Sequence, residues 1–250
     1  FDIPNEAHLS GNVMSLIDGV GDTKVIPCEY CFCYLFEDTK IKTVSEDFLP
    51  ATTLAESCYY YMFDGCTALV NAPKLPATTL AGWCYLSMFE GCTALVNAPA
   101  LPATTLTEGC YSDMFDGCAS LVTAPELPAT TLVNECYSGM FGSCSSLITA
   151  PVLPATTLAD DCYNYMFAWC SNLQNVTCLA TNISAANTGH WLKAVSSTGT
   201  FNKAAGVSWP AGEDGIPSGW NVIEIKYLTM TLPEDSPETQ ISIKKYGEPV

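Results

Sequence analysis

Leu49-Pro-Ala-Thr-Thr-Leu54 opens the 26-residue segment LPATTLAESCYYYMFDGCTALVNAPK, which covers residues 49–74. The same hexapeptide begins again at Leu75, Leu101, Leu127 and Leu153, at a constant spacing of 26 residues. Five full copies therefore fill residues 49–178, and 12 of their 26 columns are identical in every copy. Strict self-similarity at this period predicts a solenoid, in which each copy forms one coil and packs on the next.

The unchanging columns separate the scaffold of the molecule from its surface. They hold Leu-Pro-Ala-Thr-Thr-Leu, then Cys-Tyr, Met-Phe, Cys and Leu, whereas all eleven charged residues of 49–178 stand in columns that vary. A column shared by every copy meets a demand shared by every copy, which is packing on the next coil. The variable columns are therefore the candidates for recognition.

Each copy is predicted to contain one short helix, at about residues 54–64 of the first copy. Thr52 or Thr53 can cap its N-terminus, apolar residues follow at helical spacing, and Gly65 stands where the helix would end.

A short strand is predicted over residues 69–72, with Val70 and Ala72 pointing inward and Asn71 and Pro73 pointing outward. The fold class is then an α/β solenoid: a right-handed leucine-rich-repeat superhelix with a parallel sheet on one face, short helices on the other and a small C-terminal β hairpin.

Imperfect copies flank the array and are expected to cap it, because a single repeat cannot bury its apolar face alone. The N-terminal cap is offset from the first full copy by 27 residues instead of 26. The predicted organisation is 1–22, an N-terminal segment; 23–48, a capping repeat; 49–178, five repeats; 179–221, a C-terminal cap; and 222–250, a terminal hairpin or the start of a further domain.

The segment CYxxMFxGCxxL followed by a proline, seen first around Met62-Phe63-Asp64-Gly65-Cys66, resembles the repeat of BspA-like leucine-rich-repeat surface proteins of host-associated anaerobic bacteria. The likeness runs from about Thr23 to Trp220. It implies a secreted or cell-surface protein that adheres to host proteins or other cells, with any leader or anchor outside this chain. The 26-residue period and the cysteine column at Cys58 depart from the usual repeat, and no binding residue of the family can be carried over.

Charge excludes several classes of partner. The chain has a net charge of −17, with nine lysines and no arginine, so it lacks the basic surface that holds a nucleic acid backbone or an anionic membrane. No apolar run reaches the roughly 18 to 20 residues needed to cross a bilayer, so no membrane insertion is expected. Basic or neutral macromolecules fit the charge, and a monomer is expected.

Catalysis and cofactors find little support in the sequence. Histidine occurs only at His8 and His190, outside the full copies, and no nucleotide or zinc-protease motif is present. An enzyme would need a deep pocket near His190, Trp191, Trp209 and Asp214. Cys28, Cys31 and Cys33 could form half of a metal site, but a second pair of ligands nearby is missing, so we expect no metal and no cofactor.

Two cysteine columns run through the repeats, and the sequence leaves their chemistry open. If Cys58 and Cys66 lay on one continuous helix they would be about 12 Å apart, too far for a disulfide. Buried thiols are the favoured interpretation, since cysteine packs as a small apolar residue. Disulfides remain the alternative.

Two surfaces are candidates for binding. The first is the column of small polar residues beside the predicted strand, and the second is the set of aromatic residues in variable columns. The candidate binding residues are Asn71, Asn97, Thr123, Thr149, Asn175, Tyr61, Trp83, Tyr165 and Trp169. The invariant tyrosines, beginning with Tyr59, are expected to pack between coils.

These observations favour a binding or adhesion module whose partner is a host or cell-surface protein or glycan. A structural spacer or assembly part of a larger surface protein is the alternative. The two differ in a simple way, since a spacer would tolerate replacement of the exposed variable residues without loss of any association.

Overall fold

The computed structural model describes residue 3 and residues 5–225. Its strands and helices are short, and much of each coil is irregular or turn structure. The elements are β1 (Ala7–Leu9), α1 (Ser15–Asp18), β2 (Ile41–Val44), β3 (Thr149–Leu153), β4 (Asn175–Cys178), α2 (Ala185–Thr188), β5 (Thr200–Ala204) and β6 (Asn221–Ile225).

The chain forms a parallel β-solenoid, which confirms that part of the predicted fold. A four-stranded parallel sheet has the order β3-β4-β5-β6, and β1 pairs in parallel with β2 near the other end. Between them, isolated parallel bridges join residues 26 positions apart, such as Thr53 with Thr79 and Asn97 with Thr123. Consecutive copies are therefore stacked in register.

The helix predicted at 54–64 is wrong. Residues 55–66 and their equivalents form a continuous series of β-turns, which we call the turn ribbon. Every second backbone N–H along it donates to the carbonyl three residues earlier. In the first copy these donor–acceptor pairs are Cys58–Ala55, Tyr60–Ser57, Met62–Tyr59, Asp64–Tyr61 and Cys66–Phe63. Helices in the described residues occur only as α1 and α2, outside the five full copies.

Left-handed residues explain why the segment is not helical. Ser57, Tyr61 and Gly65 have φ of 50°, 51° and 66°, so every fourth residue of the ribbon is left-handed. Each sits at the third position of a turn, the position that requires positive φ in a type II turn. The apolar residues of CYxxMFxxC also recur at a strict period of four, which differs from the 3.6-residue period of a helix.

The remaining N–H groups of the ribbon bind the next coil. In the first copy the donors are Ser57, Tyr59, Tyr61, Phe63 and Gly65, and the acceptors are the carbonyls of Gly82, Cys84, Leu86, Met88 and Glu90. The same pattern repeats at every interface from the N-terminal cap to the C-terminal cap. Every such bond runs from an N–H of one coil to a carbonyl of the following coil, so the ladder has a single direction.

Aromatic columns fill the interior behind the ladder. The invariant tyrosines are each 1% exposed and the invariant phenylalanines are fully buried. Rings of successive coils lie nearly parallel, as with Tyr85 and Tyr111 at 5.7 Å and Phe63 and Phe89 at 5.6 Å. The prediction that the fixed tyrosines pack between coils is confirmed. In the N-terminal cap, Phe36 stacks on Phe63 at 5.4 Å, which matches the offset of 27 residues.

The predicted orientation of the strand segment is wrong at Val70, which was expected to point inward, and at Pro73, which was expected to point outward. Leu69 and Pro73 are buried, whereas Val70 is 41% exposed. Asn71 is partly buried, and its side-chain amide donates to the carbonyl of Val44 in the preceding coil at 2.9 Å. This bond turns Asn71 along the solenoid axis, so the segment does not alternate as a regular strand does.

Tryptophans close the C-terminal end of the core. Trp191 is fully buried, stacks on Tyr163 at 6.2 Å and on Trp209 at 5.3 Å, and donates its indole N–H to the carbonyl of Gly215. The last described strand, β6, pairs in parallel with β5. The remainder of the predicted terminal hairpin, residues 226–250, lies outside the described residues.

Gly139 provides a test of the turn ribbon. It lies in the middle of the helix predicted for the fourth copy, where Gly→Ala would stabilise the protein by about 1 kcal/mol. In the structure its φ is 60°, and an added Cβ would meet the carboxylate of Asp113. We expect Gly139→Ala to lower the free energy of unfolding by about 1–2 kcal/mol in urea titrations, from left-handed strain.

The matched control is Gly82→Ala, where φ is not in the left-handed region and an added Cβ would meet nothing closer than 3.9 Å. Its stability should change little. Stabilisation by Gly139→Ala would contradict the ribbon.

Candidate functional site

Two of the predicted aromatic residues meet in the turn ribbon of the fifth copy, near the C-terminal end of the stack of coils. Tyr165 and Trp169 are left-handed residues of the fifth copy, with φ of 53° and 61°, and their rings stack at 5.8 Å. They are 36% and 47% exposed, in contrast to the buried aromatic columns. His190 of the following coil lies against Tyr165 at 5.1 Å, and the Lys193 ammonium lies 5.7 Å from the Trp169 ring centroid. We call these four residues the C-terminal aromatic patch.

Polar groups surround this patch. The backbone N–H of His190 donates to an Asp214 carboxylate oxygen at 2.7 Å. The imidazole lies 3.7 Å from Asp214 and 3.8 Å from Glu213, and its side chain is 43% exposed. The patch therefore combines exposed ring surface, one ammonium and two carboxylates, a combination suited to sugar hydroxyls or to the polar and aromatic side chains of a protein.

The other two predicted aromatic residues are not part of this patch. Tyr61 lies in the turn ribbon of the first copy, near the N-terminal end of the stack of coils. It stacks on Tyr34 at 5.3 Å and contacts Tyr60 edge-on at 4.4 Å. The indole ring of Trp83 covers the α carbon of Gly109, because a Cβ added at Gly109 would clash with that ring. Trp83 therefore packs on the neighbouring coil.

The predicted polar column forms a ladder across the coils. Asn97, Thr123 and Thr149 are exposed, while Asn71 and Asn175 are partly buried. Thr149 pairs with Asn175 between β3 and β4, and the Asn175 amide donates to the Thr149 hydroxyl at 3.5 Å. With the Asn71 bond to Val44, these contacts give the amides at the two ends of the column a structural role. Asn97 and Thr123, in the middle of the column, are exposed to solvent.

An exposed aliphatic row lies beside this polar column, at positions that strand alternation predicts to be in the interior. It consists of Val70, Val96, Val122 and Ile148, which are between 39% and 54% exposed. The one-residue error in strand orientation hid this row, because alternation from Val70 assigned the valines to the core. The signal in the sequence was the invariant Leu69 column directly before it, which takes the core position.

The cysteine columns are buried, and one of them donates hydrogen bonds. Thiols of this column lie 3.1 Å, 3.2 Å and 2.9 Å from phenylalanine carbonyls of the preceding copy, in the pairs Cys92–Phe63, Cys118–Phe89 and Cys170–Phe141. A disulfide sulfur has no hydrogen to donate, so the geometry favours the thiol alternative. In the other column, burial raises the pKa of the Cys58 thiol to about 12, which keeps it protonated and unreactive.

Carboxylates form a row that runs across the turn ribbons of successive coils. Asp64, Glu90 and Asp116 occupy one column in three successive coils, and burial raises the pKa of each. For Asp64 the pKa is about 6, because burial is reinforced by the negative charges of Glu90 and neighbouring acids. Asp113, one turn away, has its pKa raised to about 6 by burial and then by Asp116, Glu90 and Glu135. Stacking in register thus crowds like charges at neutral pH.

Two depressions lie on the described surface. One depression of about 260 Å³ is lined by residues including Pro125, Pro151 and Val152, and another of about 250 Å³ lies beside Leu192 and Pro217. Both fall below the roughly 300–1,000 Å³ of ordinary ligand pockets. Residues 5–225 contain no group of three or more histidine, cysteine or acidic side chains that could hold a metal ion. Within the same range no helix has the length and apolarity to traverse a bilayer.

Comparison of the chain with protein-family models, with curated proteins and with solved structures finds no match.

The crowded carboxylates generate a prediction about pH. A folded-state pKa of about 6 for Asp113, against 3.8 for the free side chain, means that the folded state binds this proton more tightly than the unfolded state. The charged carboxylate therefore costs stability above about pH 6, and the cost disappears as the pH falls towards 4. We expect Asp113→Asn to raise the free energy of unfolding by about 1 kcal/mol at pH 7.5 and by much less at pH 4.5.

Thermal and urea unfolding at both pH values would measure this effect. Glu126→Gln is the control, because it removes one negative charge from an exposed position. An equal gain in both variants at pH 7.5 would assign the effect to net charge and contradict the role of Asp113.

Proposed function

We propose that this protein is a surface binding module, a BspA-like leucine-rich-repeat protein that adheres to a host or cell-surface protein or glycan. On this proposal it acts outside the cell or on the cell surface as a monomer, its coils form a right-handed superhelix, and it is not an enzyme. The observation that carries the proposal is the C-terminal aromatic patch. The repeat motif around Met62-Phe63 supports the family assignment.

The patch exposes ring surface that the fold does not require. The column of Tyr165 holds Ser87, Asp113 and Gly139 in other copies, and the column of Trp169 holds Gly91 and Gly117. The backbone conformation is the same in these copies, so neither ring is needed to form a coil. Large exposed aromatic residues that the backbone of the coil does not require are typical of protein and glycan contact sites.

Charge narrows the class of ligand. Glu213 and Asp214 lie beside the patch. The acidic row of Asp64, Glu90 and Asp116 crosses the first three full copies, towards the N-terminal end of the stack of coils. A neutral glycan or a protein with a basic or neutral surface fits these charges, whereas an acidic polymer would be repelled. The exposed aromatic, aliphatic and polar surfaces lie at separate places on the solenoid, which favours many weak contacts over one central site.

The residues that a catalytic site near the C-terminal cap would use are divided between the surface and the interior. His190 faces two carboxylates at the surface, while Trp191 and Trp209 are packed in the cap, so these residues do not line a common cavity. Catalysis ordinarily requires groups that converge on an enclosed site from which water is excluded.

A spacer role is the second candidate, and the uniform ladder favours it. Each interface of the array repeats the same backbone hydrogen bonds and aromatic contacts, which suits a rod that holds other parts of a surface assembly apart.

Binding to an array of matrix proteins, mucins and glycans would separate the two candidates. We expect a saturable ligand, and we expect Trp169→Asn to weaken its affinity by about tenfold or more, as for a central aromatic contact. Asparagine tolerates the left-handed backbone at this position, so the fold should be retained.

The matched control is Tyr30→Asn, which removes a 56% exposed, left-handed aromatic residue at the opposite, N-terminal end of the stack of coils. Its affinity should equal that of the wild type. Equal binding by wild type and Trp169→Asn would exclude the patch as the contact site, and a blank array would place the spacer role first.

A further inference from the structure

Two cysteines of the N-terminal cap lie in direct contact. The sulfur atoms of Cys28 and Cys31 are 2.9 Å apart, Cys28 is exposed and Cys31 is partly exposed. In contrast, the cysteines of both repeat columns are fully buried. The cap therefore holds an accessible pair of sulfur atoms in a molecule whose other described thiols, apart from Cys33, are enclosed in the core.

The turn ribbon explains how the pair arises. Allowing for the offset of 27, Cys28 and Cys31 occupy the columns of Ala55 and Cys58, the first and fourth residues of a turn. Tyr30, the third residue, has φ of 52°, close to the 50° of its counterpart Ser57. The column shared by Cys28 and Ala55 holds Ala81, Thr107, Val133 and Ala159 in the other copies. The N-terminal coil alone carries cysteine in both columns, so it alone forms a CxxC pair.

The first and fourth residues of such a turn lie close together. The ends of a β-turn have α carbons less than about 7 Å apart, and a disulfide needs about 4.4–6.8 Å. The backbone of the turn is therefore compatible with a bond between the two sulfur atoms.

We propose that Cys28 and Cys31 form a redox site that is oxidised to a disulfide by low-molecular-weight disulfides. This property goes beyond the proposed binding function and does not depend on it. The Cys28 thiolate attacks one sulfur of the small disulfide, which forms a mixed disulfide and releases one small thiol. Cys31 then loses its proton to solvent and attacks the Cys28 sulfur, which forms the Cys28–Cys31 bond and releases the second small thiol.

The two cysteines have different roles in this sequence. Cys28 attacks first because its sulfur is the exposed one. Burial and the neighbouring Cys28 sulfur raise the pKa of Cys31 to about 12, so Cys31 is a poor nucleophile towards molecules in solution. In the second step the contact between Cys31 and Cys28 offsets the low thiolate fraction of Cys31, because groups that are held together react at a high effective concentration. The protein loses two electrons and two protons, and the small disulfide becomes two thiols.

Oxidation of the whole chain with glutathione disulfide tests this site. The chain is reduced, freed of reductant, incubated with glutathione disulfide, then denatured, alkylated and cleaved after lysine. Cleavage at Lys24 and Lys40 places Cys28, Cys31 and Cys33 in one peptide, residues 25–40. We expect this peptide to lose two hydrogen atoms and to carry one alkyl group, which fragmentation should locate on Cys33.

Two variants test the order of attack. Cys31→Ser should stop at the mixed disulfide and retain glutathione on Cys28. Cys33→Ser, the matched control, should form the same intramolecular disulfide as the wild type. Three alkylated cysteines in the wild-type peptide, or a disulfide that includes Cys33, would overturn the proposal. Equal modification of Cys58 and Cys66, in peptide 43–74, would also contradict it, because their burial should protect them.

Discussion

The hydrogen-bond ladder between consecutive turn ribbons is the constraint on which the other features of this molecule depend. A chain of β-turns satisfies only every second N–H within its own coil, and the others would be left unpaired in a packed interior. An identical ribbon one coil further along presents carbonyls at the required positions. This explains the constant spacing of residues inside each ribbon, since an insertion there would shift its donors away from their acceptors and move its core residues to the surface.

The direction of the ladder makes the two ends of the solenoid chemically different. Each coil presents donors towards the C-terminal end and acceptors towards the N-terminal end. At the C-terminal end the His190 N–H binds the Asp214 side chain and the Leu192 N–H binds the Glu213 carbonyl. At the N-terminal end the carbonyls of Cys31, Cys33 and Leu35 receive no hydrogen bond from the described residues. The acids beside the aromatic patch therefore also satisfy the last donors of the ladder, and the CxxC pair lies on the acceptor edge.

Sequence reasoning succeeded where the repeat itself carried the information. The period, the stacking of coils and the packing of Tyr59 and its equivalents all follow from columns that never change. The helix failed because CYxxMFxxC satisfies a loose helical pattern, and the difference between periods of 3.6 and 4 is small over nine residues. Gly109 and Gly139 were the available signal, because glycine inside a predicted helix is unfavourable but suits a left-handed turn position.

The candidate site could be predicted only in part, for a related reason. Tyr165 and Trp169 stand out because they occupy variable columns of a known repeat. Their partners His190 and Lys193 lie in a coil where the motif is lost, so no column assigned them a position. Only the structure places them in the next ribbon, in register with the fifth copy.

Backbone strain gives a physical reason to regard the variable columns as functional positions. A non-glycine residue in the left-handed region costs about 1–2 kcal/mol, and glycine avoids this cost. Gly65, Gly91 and Gly117 show that glycine satisfies the column that Trp169 occupies, with the same ladder bonds on either side. A tryptophan there adds strain, adds exposed apolar surface and contributes nothing that a coil needs in order to form. Glycine would satisfy the backbone at this position without the strain, and this comparison supports the proposal that Trp169 contacts a partner.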